Sequence, residues 1–285
     1  MMEANYLIIP DIHGQIKQFD AVVIMIKEMI KKDKNIHIVF LGDYIDRGDG
    51  GNFKYYDKRF KKEVEIYFED IGSRLVIEKL FILKQFLEDN NIRHTLLRGN
   101  HEDTFIEHIK DIEKGNNIVS LLERRMTKDT RKTYKEYINT LKGFTYDVKL
   151  MIKTKTFFDS LPYYLEDKEN KLFFVHAGVN PNYALTQNPL ENYLWIRRKF
   201  FMYTGQYSSK IIFGHTPIDS LEEEEKLFLN VKEPQNIILK EDRIGLDSGN
   251  YRHHPLNILR IENKKYTLYK IDTKGQVEEA LGLEV

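Results

Sequence analysis

Six side chains able to bind a metal ion stand just after short apolar runs in this sequence: Asp11, His13, Asp43, Asn100, His176 and His215. Each falls in a compact, glycine-containing turn: Pro10-Asp11-Ile12-His13-Gly14, Gly42-Asp43-Tyr44-Ile45-Asp46-Arg47-Gly48, Arg98-Gly99-Asn100-His101-Glu102, His176-Ala177-Gly178 and Gly214-His215-Thr216. Asp11 and His13 are two apart, so Ile12 can enter the core while both polar side chains face one cavity and make half of a metal site. Asp43 can bridge two cations held roughly 3.5 to 4 Å apart, the separation of two-metal hydrolases. Asn100, His176 and His215 then complete the second site. Oxygen and imidazole donors without sulfur suit manganese, iron or zinc better than magnesium or calcium. Water between two such ions is acidic enough to be hydroxide near neutral pH, so the chemistry in prospect is in-line attack on phosphorus with no protein nucleophile.

The same turns carry the groups that would finish such a reaction. His101, beside the ligand Asn100, is the candidate general acid for a leaving alkoxide, with Asp46 to orient it and raise its pKa. Arg47 can fork two donors onto non-bridging phosphate oxygens, and Asn100 doubles as a substrate contact. A further arginine is expected to close the site, with Arg197 or Arg198, after Leu194-Trp195, as the local candidates. Any one of these turns alone is weak evidence, because glycine and aspartate favour turns on backbone grounds. Five in order, each after an apolar strand, are what favours chemistry over packing. His37, His94, His108, His253 and His254 lie outside the turns and read as packing or surface residues, and Trp195 reads as a packed aromatic that positions the neighbouring arginines.

The elements that must hold these turns are legible in outline. Tyr6 to Ile9, Ile36 to Leu41 and Ile92 to Leu97 read as buried strands. Between the first two, Ile16, Phe19, Val23, Ile26 and Ile30 recur at helical spacing, which predicts an amphipathic helix over Gln15 to Lys31. Val76, Leu80, Leu83 and Leu87 mark another before the third strand. The β-α-β-α-β order implies parallel strands, whose carboxyl ends are where ligands collect. Glu102 to about Ser160 is polar and helix-permissive and predicts a helical insertion or cap. Strands return at Leu172 to Val175, Lys210 to Phe213, Asn236 to Leu239, Leu256 to Ile261 and Tyr266 to Ile271, the last two as a hairpin; together they predict a mostly antiparallel second sheet packed on the first. The basic and aromatic stretch from Lys54 to Lys62 reads as a solvated helix face, its charge cancelled at once by Glu63, Glu65, Glu69 and Asp70.

At 285 residues the chain suits one domain with an insertion. Its 44 basic and 44 acidic side chains balance, so no global field steers it to nucleic acid or acidic lipid, and phosphate attraction must be local. Having no cysteine, it has no disulfide, no thiolate ligand and no covalent cysteine-phosphate route. The longest apolar runs, such as Ala21 to Ile26, are far too short to span a bilayer, and no signal peptide is visible. A cytoplasmic location is the expectation.

These turns resemble the phosphoprotein phosphatase family of metallophosphoesterases, which includes bacterial and phage serine/threonine phosphatases and the symmetrical diadenosine tetraphosphate hydrolases. The resemblance runs from Tyr6 to about Asp247, and Gly42 to Gly48 and Arg98 to Glu102 are its most specific parts. It implies a four-layer α-β-β-α sandwich of mixed α/β class, with manganese as the usual activating ion. It implies Asp11, His13 and Asp43 on one metal, and Asp43, Asn100, His176 and His215 on the other. By the same resemblance His101 and Asp46 form the acid pair, and Arg47 is a phosphate clamp. Departures from the pattern are Pro10 in place of a glycine and an extra charged segment at about 49–74, a lid or partner surface. The eukaryotic loop that brings a tyrosine to the site is not recognisable. Gly245-Leu246-Asp247-Ser248-Gly249 resembles the bacterial and diadenosine-hydrolase branch instead.

The expectation is therefore a single metallophosphoesterase domain over 1–285, with insertions at about 49–74 and 103–160. Its activity would be removal of phosphate from phosphoserine or phosphothreonine in proteins. The first rival is a dinucleoside polyphosphate hydrolase on the same site, and the rival of another class is a catalytically silent binding module. The expected partners are a phosphorylated protein or small nucleotide substrate, and a protein bound through the insertions.

Overall fold

Alternation along strand β1 (Asn5–Ile9) decides the layering. Leu7 and Ile9 point into one buried apolar cluster and Tyr6 and Ile8 into another, so the strand is covered on both faces. The computed structural model describes residues 4–57, 61–117, 130–232 and 236–283. Helix α1 (Ile16–Lys32) follows, burying Phe19, Val22, Ile26 and Ile30 against the sheet, and β2 (His37–Phe40) returns parallel to β1.

The stretch expected as a solvated helix face is instead a β-hairpin, β3 (Gly51–Asp57) and β4 (Lys62–Phe68); residues 58–60 lie outside the described residues. The reason is period-two patterning: Phe53 opposes Ile66 and Tyr55 opposes Val64, while Lys54, Glu63 and Glu65 face out. Helix α2 (Gly72–Asp89) and β5 (His94–Leu96) complete the expected β-α-β-α-β run, with β5 parallel to β2. The polar middle of the chain is helical as expected: α3 (Asn100–Glu113), α4 (Arg131–Phe144) and α5 (Val148–Asp159), with 118–129 outside the described residues.

A second sheet begins with β6 (Tyr164–Asp167) and β7 (Leu172–Val175). Short helices α6 (Leu190–Trp195) and α7 (Arg198–Phe201) precede β8 (Lys210–Phe213), and α8 (Glu223–Phe228) precedes β9 (Val231–Lys232), β10 (Ile237–Lys240) and β11 (Arg243–Gly245). This sheet is not mostly antiparallel at its centre: β7, β8 and β11 are mutually parallel, in the order β6-β7-β8-β11-β10-β9. The final strands, β12 (Leu256–Glu262), β13 (Lys265–Ile271) and β14 (Val277–Leu283), join the first sheet through an antiparallel β1–β12 pair. Its order is β14-β13-β12-β1-β2-β5.

The two sheets face each other across Ile8, Val39, Leu41 and Leu259 on one side and Phe174, Ile212, Ile244 and Leu246 on the other. Helices α1 to α5 cover the outer face of the first sheet, and α6 to α8 that of the second. The result is the expected four-layer α-β-β-α sandwich of mixed α/β class. Both triplets of parallel strands aim their carboxyl ends at the same place, so the turns after β1, β2, β5, β7, β8 and β11 converge. No helix among the described residues is long and apolar enough to cross a membrane.

Candidate metal centre

Every ligand expected from the sequence is buried, at 5 % exposure or less, in these converging turns. His13, Asp43, Asp46, Arg47 and His215 all adopt positive φ, from 48° to 67°. A side chain there costs backbone energy, and such strain gathers where a turn must aim a functional group. Glycine is needed beside them on grounds of space. A Cβ on Gly214 would lie 2.0 Å from the Asp11 carboxylate, and one on Gly99 would lie 2.2 Å from that of Asp43.

The imidazoles are oriented from behind. His13 donates Nδ1–H to the Ile45 carbonyl at 3.0 Å, and His176 donates Nδ1–H to the Leu41 carbonyl at 3.0 Å, so each turns its Nε2 inward. His176 Nε2 lies 2.9 Å from Asn100 Oδ1 and 3.1 Å from His215 Nδ1, while His215 Nδ1 is 2.8 Å from the same Asn100 oxygen. Three atoms able to bind a metal thus crowd together, an arrangement that either a proton on His176 Nε2 or a cation can hold. Asp43 bridges this trio to a second group, its Oδ1 3.4 Å from His176 and its Oδ2 3.7 Å from both His13 and His101.

Two sets of donor atoms lie close enough to share an ion, His13 with Asp43 and His101, and Asp43 with His176 and His215. Asp11 stands just outside both; its carboxylate accepts the His215 backbone N–H at 3.0 and 3.1 Å. The electrostatics also call for a cation. Burial, with Asp247 and Asp43 nearby, holds the Asp11 carboxyl well above its usual range. Burial depresses His13 and His215, and Arg47 and His176 respectively add to it. His176 behaves oppositely: burial lowers it, but the Asp43 carboxylate outweighs that and takes it up to about 9. His215 Nε2 and Asp247 Oδ2 are buried without a hydrogen-bond partner. These residues fit a metal centre.

Around it, His101 donates Nδ1–H to Asp46 at 2.6 Å in a buried pair. Arg47 and Arg197 reach the same cavity, whose volume is about 600 Å³. Arg197 donates to the Thr216 hydroxyl beside His215. Arg198 lines the cavity's outer part, 58 % exposed and paired with Glu225 at 2.7 Å. Trp195 is not the packed aromatic expected: it is 43 % exposed, lines the cavity and stands edge-on to His215 at 6.1 Å.

The site is completed by several further groups that the sequence did not single out as site residues. Glu102 is wholly buried and accepts the backbone N–H groups of Asp43, Tyr44 and Gly99, each at 2.8 Å, tying the second and third turns together. Burial and the adjacent Asp43 push its carboxyl up to about 7. Asp247, after β11, adds a sixth turn, its carboxyl raised by burial to about 6. A tyrosine does reach the site: the Tyr251 ring is 5.0 Å from His13 and lies under the Arg47 guanidinium at 4.5 Å. The position of Asp247 after an apolar pair was the available signal; the approach of Tyr251 depends on loop shape and had none.

The model of the calcineurin-like phosphoesterase family matches residues 4–260, and the chain belongs to that family. It is a metal-dependent hydrolase of phosphoric esters, of the dinuclear kind. None of the curated proteins compared matches it. Among solved structures, a "putative diadenosine tetraphosphatase" is similar at 15 % identity and TM-score 0.51 over 93 % of each chain. A cold-active protein-tyrosine phosphatase from a psychrophilic Shewanella species is similar at 17 % identity and TM-score 0.51, over 98 % of this chain and 80 % of that one. At such identities the likeness is one of fold.

Proposed function

We propose that this enzyme removes phosphate from phosphoserine or phosphothreonine in proteins. The observation that carries the reading is the buried His101–Asp46 pair, with His101 Nε2 turned toward Asp43 and the cavity. An alkoxide is a poor leaving group and needs a proton, whereas a nucleotide phosphate leaves without one. A site built around a held imidazole N–H suits the former.

In this reading Asp11, His13 and Asp43 hold one ion, and Asp43, Asn100, His176 and His215 the other. Two divalent cations, manganese by preference and iron or zinc as alternatives, supply an acidic water and neutralise phosphate charge when bound. Asn100, Arg47 and Arg197 hold the non-bridging oxygens, Arg197 rather than Arg198 because the latter is committed to Glu225 at the surface. His101 gives its proton to the leaving oxygen, and Asp46 fixes the ring and balances its charge. The whole of 1–285 is taken as one catalytic unit of the cytoplasm, with the insertions as surfaces for a protein partner.

The second reading is a dinucleoside polyphosphate hydrolase, favoured by the further guanidiniums of Arg198 and Arg252 along the same cavity. Each of these is tied to a carboxylate, Glu225 or Asp219, which leaves it less free for a phosphate chain. The test is phosphate or nucleotide release from a phosphothreonine peptide and from diadenosine tetraphosphate, side by side, with manganese and with a chelator. Preference for the peptide is expected. Preference for the dinucleotide overturns the reading, and metal-independent inactivity on both returns the chain to a silent binding module.

A further inference from the structure

Arg47 stands on a strained turn at φ 64°, and a long side chain there has many directions open to it. Two contacts remove that freedom: its Nε donates to Glu136 Oε2 at 3.0 Å, and the Tyr251 ring lies against the guanidinium at 4.5 Å. Nη1 stands 2.8 Å from His13 Nε2, a contact that an ion on that nitrogen would replace. A guanidinium is rigid and planar, so fixing Nε on one side points the two terminal nitrogens to the other, here the cavity. The pair is mostly shielded, with the two side chains 22 % and 18 % exposed, unlike a surface ion pair.

Glu136 comes from α4, in the insertion at about 103–160, and lies 89 positions from Arg47. That helix is docked along one face. Thr140 donates to the buried Asp70 at 2.8 Å, Asn139 donates to Glu69 at 2.8 Å, and Tyr137 packs edge-on to His101 at 5.7 Å. Thr133 and Tyr137 line the cavity. Spacings of three and four residues put Thr133, Glu136, Tyr137 and Thr140 on the same side of the helix, over the Asp43–Gly48 turn.

We infer that Glu136 is a positioning residue that aims Arg47 at the transferring phosphate, so the helical insertion supplies part of the catalytic apparatus. The inference rests on the proposed reading of Arg47 as a phosphate clamp. It also runs against simple electrostatics: a carboxylate beside an anion site repels substrate, so removing it should help binding unless its role is to aim the arginine.

The test is a double-mutant cycle, Glu136→Ala and Arg47→Ala, with kcat/KM on a phosphothreonine peptide and calorimetric binding of inorganic phosphate to the manganese-loaded protein. Arg47→Ala is expected to lose about 100-fold in kcat/KM, and Glu136→Ala about tenfold, with weaker phosphate binding. In the Arg47→Ala background, Glu136→Ala should cost nothing further. An unaffected Arg47→Ala enzyme would remove the clamp reading itself. If Arg47→Ala is impaired but Glu136→Ala is silent, more active, or equally damaging in both backgrounds, the positioning role is wrong. Should Glu136→Ala not fold, Glu136→Gln serves in its place. It keeps an acceptor for Nε–H, so it should retain most activity, and a loss as large as that of Arg47→Ala would count against the inference.

Discussion

His101 has two possible employments in this geometry, and they predict different kinetics. Its Nδ1 is bound to Asp46 at 2.6 Å, while its Nε2 lies 3.7 Å from Asp43 and is grouped with His13. If Nε2 carries a proton to the leaving oxygen, His101→Asn should lower kcat on a phosphothreonine peptide by about 100-fold or more. On p-nitrophenyl phosphate, whose leaving group needs little help, the loss should stay under about tenfold. Equal losses on the two substrates, together with reduced metal content, would make His101 a ligand instead. The candidate ligands and the candidate acid were readable in sequence because each lies in a short glycine-containing turn after an apolar run. Glu102, Glu136 and Tyr251 were not, because their partners are backbone N–H groups or side chains supplied by distant segments.

The turns work as elements because their strands end together and their glycines leave room. Gly214 is the tightest case, with a Cβ there meeting Asp11 Oδ2 at 2.0 Å. Gly214→Ala should push the Asp11 carboxylate off its place while leaving β8, whose Ile211, Ile212 and Phe213 are fully buried, intact. The expected result is a metal affinity weakened about 10- to 100-fold, the usual cost of disturbing an orienting group. Manganese titration by calorimetry measures it, with circular dichroism to show the fold kept; an unchanged affinity would free Asp11 from any ligand role. Strands such as Leu172–Val175 were legible because they are continuous and apolar. Strand β11 was not, since it opens with Arg243. That guanidinium is nevertheless satisfied in the core by the adjacent Asp242 and by the carbonyls of Phe200, Phe201 and Tyr203, some forty residues away. The hairpin of β3 and β4 was not legible because its many lysines and glutamates mask the alternation of Phe53, Tyr55, Val64 and Ile66.

Across the whole molecule charge is balanced, yet at the meeting point of the two sheets it is not. Asp11, Asp43, Glu102 and Asp247 are all buried there, and the chief compensating cation among the side chains is His176. Folding without metal must therefore hold carboxylates in a poorly hydrated space, and any cation bound only by the folded state stabilises it by mass action. Manganese at about 100 times its dissociation constant should contribute about 2.7 kcal/mol. For a chain of this size that raises Tm by about 5 °C over the chelated protein. Asp43 touches both donor sets, so Asp43→Asn should abolish most of the shift, whereas His215→Ala should leave the part owed to the other ion. Thermal melts across a manganese series distinguish these. A shift of full size in Asp43→Asn would mean that the stabilising ion binds elsewhere, and the bridging role of Asp43 would have to be abandoned.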